Sequence, residues 1–421
     1  MKVLWFTNIP MPAMLNKDPS GHSGSGGWML SLLDALKQRP GIQLGVSCVS
    51  AGLRNESFEE DGINYFPIPH SHRSIFKFRN PDQRPGFLSA CEKVIKEYCP
   101  DIIHVHGTER PYGLIGLLKK AEIPVVISIQ GLLSKCCTWH NTFGDMPFFD
   151  LIKMHRPSKI IRGIGPLWDF WHLRCNAKRE QKIIRFNKYF FGRTDWDRSH
   201  VFAHNPEAQY FHVNELLRPE FYRSKWQLSA CRRHSIIYTN STSPRRGLAT
   251  LFRAVTLIKR QYPDVLVQIA GVDDLQGEYG QYLSRLMHKE GICDNIEFLG
   301  QLNAAEICQA LTSNHVFVLP SLIENSPNSL CEAQTVGMPC VATYTGGVPS
   351  LIESWQSGLL APVEDEALMA QLISNIFSSD DLAVRLGSQA RELATWRHNP
   401  RRVLDQLIGA YKAAIKDSKR Q

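Results

Sequence analysis

Two carboxylates, Glu324 and Glu332, stand with seven residues between them in the segment Ser321–Thr343. Paired carboxylates can hold the hydroxyls of a bound sugar, or serve as acid and nucleophile in glycoside hydrolysis. The elements that must position them are legible. His315–Pro320 is an apolar run that reads as a buried parallel strand, and Cys340–Thr343 reads as the next one. Between them the sequence predicts a helix. Ser326 suits its N-cap and Pro327 its first position. Gly337 closes it, and Pro339 blocks continuation. Glu324 then lies on the loop leaving a strand, and Glu332 one to two turns into the helix. The amides of Asn328 and Ser329 fall in the first turn, where they lack intrahelical partners and suit an anion. A carboxylate at the mouth of the sheet, an anion site beside it and a second carboxylate behind would fit a sugar, its diphosphate and its ribose in a row.

Other residue types gather at predicted strand ends. Ser243-Pro-Arg-Arg-Gly247 follows a strand and precedes a helix, so Arg245 and Arg246 bring fixed positive charge to a turn. Gly24-Ser-Gly-Gly27, with Gly26 and Gly27 next to a predicted helix, can bring backbone amides close to phosphate. His104 and His106 share one face of a strand that ends at Gly107, and His106 is at its carboxyl end, where doubly wound sheets place their sites. Gln130-Gly131, Gly271 and Gly300-Gln301 also end strands. No Asp-x-Asp pair or His/Asp cluster falls at a predicted cleft position, so no metal is expected.

The stretch PSLIENSPNSLCEAQTVGMPCVATYTGGVPSLI resembles the E-x7-E signature of retaining, nucleotide-sugar-dependent glycosyltransferases of family four, which have the GT-B fold. Many members carry Gly-Phe-Gly after the first Glu. This chain has Asn325-Ser326-Pro327-Asn328, an E-N-x-P-N variant similar to a known branch, while Gly192–Asp197 and Asn214–Arg218 resemble segments of bacterial capsule or exopolysaccharide transferases. The resemblance implies roles residue by residue. Glu324 would hold hydroxyls of the transferred sugar and Glu332 those of the ribose. Arg246 stands at the position of a family Lys and, with Arg245 and the amides of Asn328 and Ser329, would stabilise the diphosphate. Asn240 stands where many relatives carry a further phosphate-binding Arg. His106 resembles a His lining the sugar pocket, Gly24–Gly27 the glycine loop of the first domain, Gly271 and Gly300-Gln301 turns near the nucleobase, and Thr345–Pro349 a structural turn. The implied reaction retains configuration, needs no metal or cofactor, and draws on a UDP-sugar in the first instance, with a GDP-sugar as the other option. The implied acceptor is a glycan or lipid-linked glycan of surface polysaccharide biosynthesis.

At 421 residues, with 43% hydrophobic and 21% charged, the chain should hold two α/β domains. Strand, crossover helix and parallel strand repeat in the doubly wound manner. The expected division is an acceptor-side Rossmann-like domain over 1–215 and a nucleotide-sugar-binding Rossmann-like domain over 216–396, facing a central cleft. The segment 397–421 carries a terminal helix that, by the resemblance, crosses back to the first domain. Asn205–Gln227 reads as neither strand nor helix and is taken as the hinge. The start, MKVLWFTNIPMP, reads as a first strand rather than a signal peptide. Eleven scattered cysteines without C-x2-C pairs suggest free thiols and a cytoplasmic protein. The net charge of +8 is uneven, because Leu151–Arg193 holds eleven Lys or Arg against Asp169 and Glu180, interleaved with aromatics. That pattern suits a surface for anionic lipid or polyanion, and it equally fits an ordinary amphipathic helix with a basic solvent face. Nucleic acid is not an expected partner. A glycoside hydrolase using the Glu pair, and a non-catalytic membrane- or polyanion-binding protein, are the competing readings.

Overall fold

Lys2–Thr7 (β1) is apolar on both faces, as a central parallel strand must be. In the computed structural model it is one of eight strands in a single sheet. Those that follow are Gln43–Ser50 (β2), Phe58–Glu60 (β3), Ile63–Pro69 (β4), Ile102–His106 (β5), Val125–Ser128 (β6), Tyr189–Gly192 (β7) and Gln209–His212 (β8). Their order is β3-β4-β2-β1-β5-β6-β7-β8 among the described residues, which are 1–15, 27–50, 53–54, 56–69, 86–117, 123–147, 150 and 165–420. All pairings are parallel except β3 with β4. Alternate residues of β1 serve two cores. Val3 and Trp5 pack with the Gly27–Lys37 helix and with Val403, Leu407 and Tyr411 of the Pro400–Ser418 helix. Leu4 and Phe6 pack with the Phe87–Tyr98 helix and with Ile183 of the Pro166–Phe186 helix.

The second sheet has six parallel strands: Ser235–Thr239 (β9), Leu266–Ala270 (β10), Ile296–Gly300 (β11), Val316–Leu319 (β12), Cys340–Thr343 (β13) and Leu359–Ala361 (β14). Their order is β11-β10-β9-β12-β13-β14, with a β-bulge between Ile269 and Ala270. The Asn328–Val336 helix between β12 and β13 is gripped at its carboxyl end. Arg391 donates to the carbonyls of Thr335, Ser224 and Tyr222, and Arg397 to the Gln334 side chain. These cations also suit the negative end of the helix dipole.

The chain divides into two compact units, Met1–Cys137 with His155–Leu216 and Pro400–Gln421, and Thr138–Met154 with Leu217–Asn399. Three details differ from the sequence expectation. Residues 1–215 do not form one unbroken domain, because Thr138–Met154 packs in the second unit. There Gly144 meets Pro244, Asp145 pairs with Arg253, and Asp150 pairs with Arg285. The expected hinge contains a strand, β8, and a helix, Pro219–Arg223. Both are too short to show a period, and β8 is a half-buried edge strand. Finally, Tyr189, Phe190 and Phe191 of the basic aromatic stretch are buried in β7, so they are core and not surface.

Candidate functional site

Glu324 lies on the loop after β12. The loop is clamped from beneath by the Thr345–Pro349 turn. Gly347 donates its amide to the Glu324 carbonyl at 3.0 Å, and the Thr345 hydroxyl donates to the Leu322 carbonyl at 2.8 Å. Gly346 has φ +49°, and a Cβ there would come within 1.9 Å of the Glu324 carbonyl oxygen, so only glycine lets the two turns approach. The Glu324 carboxylate accepts from the Ser321 hydroxyl at 2.9 Å and forms an ion pair with Arg246. Arg246 belongs to a single 3-10 turn, Pro244–Arg246, closed by Gly247 at φ +71°. A Cβ on Gly247 would meet the Pro320 carbonyl, and the Arg245 carbonyl accepts the Leu322 amide at 2.8 Å. The arginine turn and the carboxylate loop are therefore joined backbone to backbone. Asn240 uses its side chain locally, accepting the Ser241 amide at 2.9 Å.

The helix carrying Glu332 begins one residue later than expected. Pro327 flanks it, Asn328 opens it, and Ser326 is not its cap. The cause is backbone pairing: Leu330 and Cys331 both donate to the Pro327 carbonyl, at 3.1 and 3.2 Å. Asn328 and Ser329 therefore supply the leading amides, and Gly337 at φ +87° ends the helix where expected. Glu332 forms an ion pair with Arg218, 2.9 Å from Nη2, and Arg218 lies over the Phe221 ring at 4.8 Å. Each glutamate thus has its own guanidinium. That arrangement suits fixed hydrogen-bond acceptors better than an acid and nucleophile acting as a pair.

In the first unit, β5 places His104 and His106 side by side, with ring centroids 3.8 Å apart. The Trp5 ring lies 4.5 Å from His106, and Trp28, from the helix that Gly27 opens, lies 5.8 Å away. Gly26 and the rest of the glycine tract lie outside the described residues. Burial holds the His106 pKa down to about 3, helped by the positive charge of Arg193. Neither His106 nitrogen has a hydrogen-bond partner among the described residues. They lie at a small cavity of about 30 Å³ lined also by Ser128, Gln130, Arg193, Asn214 and Glu215. Arg193 and Glu215 form an ion pair with side chains only 5% and 7% exposed, and Arg193 donates to the Gln130 side chain at 2.9 Å. Just past the carboxyl end of β5, the Glu109 carboxylate accepts from Asn8 at 2.6 Å, and its pKa is raised to about 7 by burial, with Glu180 adding to it. Glu180, fully buried, accepts the Thr108 hydroxyl and the amides of Leu133 and Ser134.

A family model described as glycosyl transferases group 1 matches residues 225–393, and one described as glycosyl transferase 4-like matches residues 23–135. The chain is of the family-four glycosyltransferase type. The chain is 26% identical over 184 residues to the GDP-mannose-dependent alpha-(1-6)-phosphatidylinositol monomannoside mannosyltransferase of Mycobacterium tuberculosis, covering 42% of this chain and 46% of that protein. It is 30% identical over 170 residues to the glycosyltransferase WcaL of Salmonella typhimurium, named for colanic acid biosynthesis, covering 39% and 41%. The matches span less than half the length of either relative. Likeness in three dimensions extends further. Sucrose-phosphate synthase from Thermosynechococcus elongatus superposes with a TM-score of 0.76 at 15% identity, over 99% of this chain and 100% of that one. Anabaena HepE, in complex with UDP and glucose, gives 0.68 at 16% identity, over 98% and 99%. The fold is GT-B.

Among the described residues, the second unit gathers Glu324, Arg246, Asn328, Ser329 and Glu332, and the first holds His106 and Gly27. Sequence reasoning missed Arg218, Arg193 and Glu215 as members of ion pairs. The density of polar residues in Gly192–Asp197 and Asn214–Arg218 was the available signal. No group of three or more His, Cys, Asp or Glu among the described residues could hold a metal, and no helix there is long and apolar enough to cross a membrane.

Proposed function

We propose that the protein transfers a glycosyl group, with retention and without a metal, from a nucleotide-diphosphate sugar to a glycan or lipid-linked acceptor in surface polysaccharide biosynthesis. The observation that carries this reading is the fusion of the Glu324 loop to the Arg246 turn beside the leading amides of Asn328 and Ser329. A diphosphate arriving at these amides would draw Arg246 toward itself. Glu324 would then be released to accept sugar hydroxyls, so that donor binding trades one charge pair for another. Glu332, oriented by Arg218, would accept from the ribose. Arg245 would add charge at the diphosphate. His106, neutral near pH 7, would line the sugar pocket without repelling a developing positive charge. The leaving diphosphate oxygen would take the acceptor proton on the same face, with the protein supplying position and charge.

A UDP-sugar is the first donor to test. The HepE complexes contain UDP, while the mycobacterial relative is GDP-mannose-dependent, so a thermal-shift panel should span both bases. A donor should raise the melting temperature, transfer should persist in EDTA, and the product should keep the donor's anomeric configuration. No shift with any nucleotide, or glycan hydrolysis without nucleotide, would overturn the reading.

The acceptor side of the proposal includes a cytoplasmic membrane surface. On the Pro166–Phe186 helix, Arg174, Lys178, Lys182 and Arg185 are exposed along one stripe, with Trp171 50% and Phe186 56% exposed. Arg179 is not part of it, since it donates to the Glu109 carbonyl. Replacing Lys178, Lys182 and Arg185 with Glu should abolish binding to anionic liposomes and leave donor binding intact. Salt-insensitive or absent liposome binding leaves an ordinary basic solvent face.

A further inference from the structure

In the first unit three buried groups and the half-buried Ser128 form a chain in which each proton has one destination. The Trp5 indole N–H can only donate, and the Tyr411 hydroxyl oxygen accepts it at 3.3 Å. Tyr411 is fully buried, and its other hydrogen-bond partner among the described residues is His104 Nδ1, at 2.6 Å. A proton on Nδ1 would strand the phenol proton in the core, at the cost of a buried unsatisfied donor. Tyr411 is therefore the donor and Nδ1 the acceptor. Burial keeps His104 neutral, so its single proton sits on Nε2 and is donated to Ser128 Oγ at 2.7 Å. The Ser128 proton cannot return to His104. Ser128 lines the cavity that also holds His106, whose two ring nitrogens are buried and without partners among the described residues.

The cavity thus offers a hydroxyl proton from Ser128 and, across from it, a neutral imidazole able to accept one. A ligand hydroxyl satisfies both, with its oxygen accepting from Ser128 and its proton going to His106. The nearby Arg193 is matched by Glu215, so the site has no net charge to attract an anion. Its volume of about 30 Å³ admits one hydroxyl-sized group.

We propose that Ser128 is a ligand-binding residue that donates to one hydroxyl oxygen of a neutral sugar, and that Tyr411, acting through His104 from the terminal helix, is the positioning residue that aims it. The inference rests on the glycosyl-transfer reading for the ligand's identity only.

The test uses the full chain labelled with 15N-histidine, in wild type, Tyr411→Phe, Ser128→Ala and Ser128→Thr. Wild-type His104 should report the Nε2–H tautomer, and Nδ1–H would overturn the proposal. Tyr411→Phe should mix the two tautomers, and an unchanged His104 signal counts against it. With the donor found by thermal shift, Ser128→Ala and Tyr411→Phe should each lower kcat about tenfold, the scale of one lost hydrogen bond. KM for the nucleotide sugar should stay unchanged, and the double variant should be no worse than either single one. Ser128→Thr should restore turnover. Equal loss in Ser128→Thr and Ser128→Ala, or additive losses in the double variant, would overturn the assignment. If Tyr411→Phe does not fold, the Ser128 pair decides alone. If the wild type turns over no nucleotide sugar, the glycosyl-transfer reading fails separately. Titration with free glucose, mannose and galactose then decides the inference: a His106 shift abolished by Ser128→Ala supports it, and no shift with any hexose overturns it.

Discussion

Two arginine–carboxylate pairs, one in each unit, have the same chemistry and different surroundings. Arg246 and Glu324 have side chains 23% and 9% exposed, and they join two turns at strand ends. Arg193 and Glu215 are 5% and 7% exposed, and Arg193 is held further by the Ile129 carbonyl and the Gln130 side chain. A pair that solvent can reach can be exchanged for a ligand's charges. A pair sealed from water fixes a conformation instead. Under the proposed function the same interaction is a ligand-responsive contact in one unit, and it is a structural lock in the other.

The sealed pair offers the largest expected effect. Arg193→Ala should destabilise the first unit by about 3–5 kcal/mol, because the Glu215 carboxylate stays buried without that cation. Denaturant unfolding should show it, and a loss no greater than that of Arg246→Ala would erase the distinction. Arg246→Ala should leave folding nearer wild type but lower transfer by about a hundredfold, the scale of losing one preorganised charge contact. Arg246→Lys should retain part of the rate, and Arg245→Ala should cost less. Steady-state kinetics would check all three, and normal turnover in Arg246→Ala removes the diphosphate role.

Glu332→Ala should weaken nucleotide-sugar binding by roughly 1–3 kcal/mol through lost charged hydrogen bonds. Arg218→Ala should do the same more weakly, since the carboxylate stays but loses its orientation. Calorimetry with the preferred donor would separate them, and equal effects on every parameter from Glu324→Ala and Glu332→Ala would sink their distinct roles.

The smallest effects are in pH dependence, and they have opposite signs within the first unit. His106 is held down to about 3 from its ordinary 6.5, so its contribution is present above pH 6.5 and is lost as pH falls toward 3. Glu109 is raised from 4.5 to about 7, so its contribution is present below pH 4.5 and is lost as pH rises through 7. Glu109→Gln should therefore stabilise the chain at pH 8, by about 1 kcal/mol once solvent screening of this part-buried group is allowed for, and not at pH 4.5. Melting curves at the two pH values would check it, and equal shifts at both would remove the titration.

Much of the second unit was legible because its candidate site lies on short segments with strong local grammar. The run from His315 to Thr343 contains two buried strands, a helix with a glycine stop and both glutamates. Only the helix start moved, by one residue, because the Pro327 carbonyl rather than a Ser326 side chain receives the first amides. Partners far along the chain were not legible. Arg218 reaches Glu332 across 114 residues and Tyr411 reaches His104 across 307, and no period or spacing encodes such pairings. The buried face of the basic aromatic stretch was hidden for a different reason. Tyr189–Gly192 is only four residues long, too short for alternation to separate a core strand from the helix before it.

The Pro400–Ser418 helix carries a consequence for the order in which the chain acquires its structure. Val403, Leu407 and Tyr411 complete a core whose other members include Val3 and Trp5. During synthesis the first sheet, complete only at His212, must wait with part of that face uncovered until about two hundred further residues have left the ribosome. The second unit holds all of its residues by Asn399 and can close earlier. The half that begins last should therefore mature first, and the nascent first unit is where a chaperone has the longest opportunity to bind.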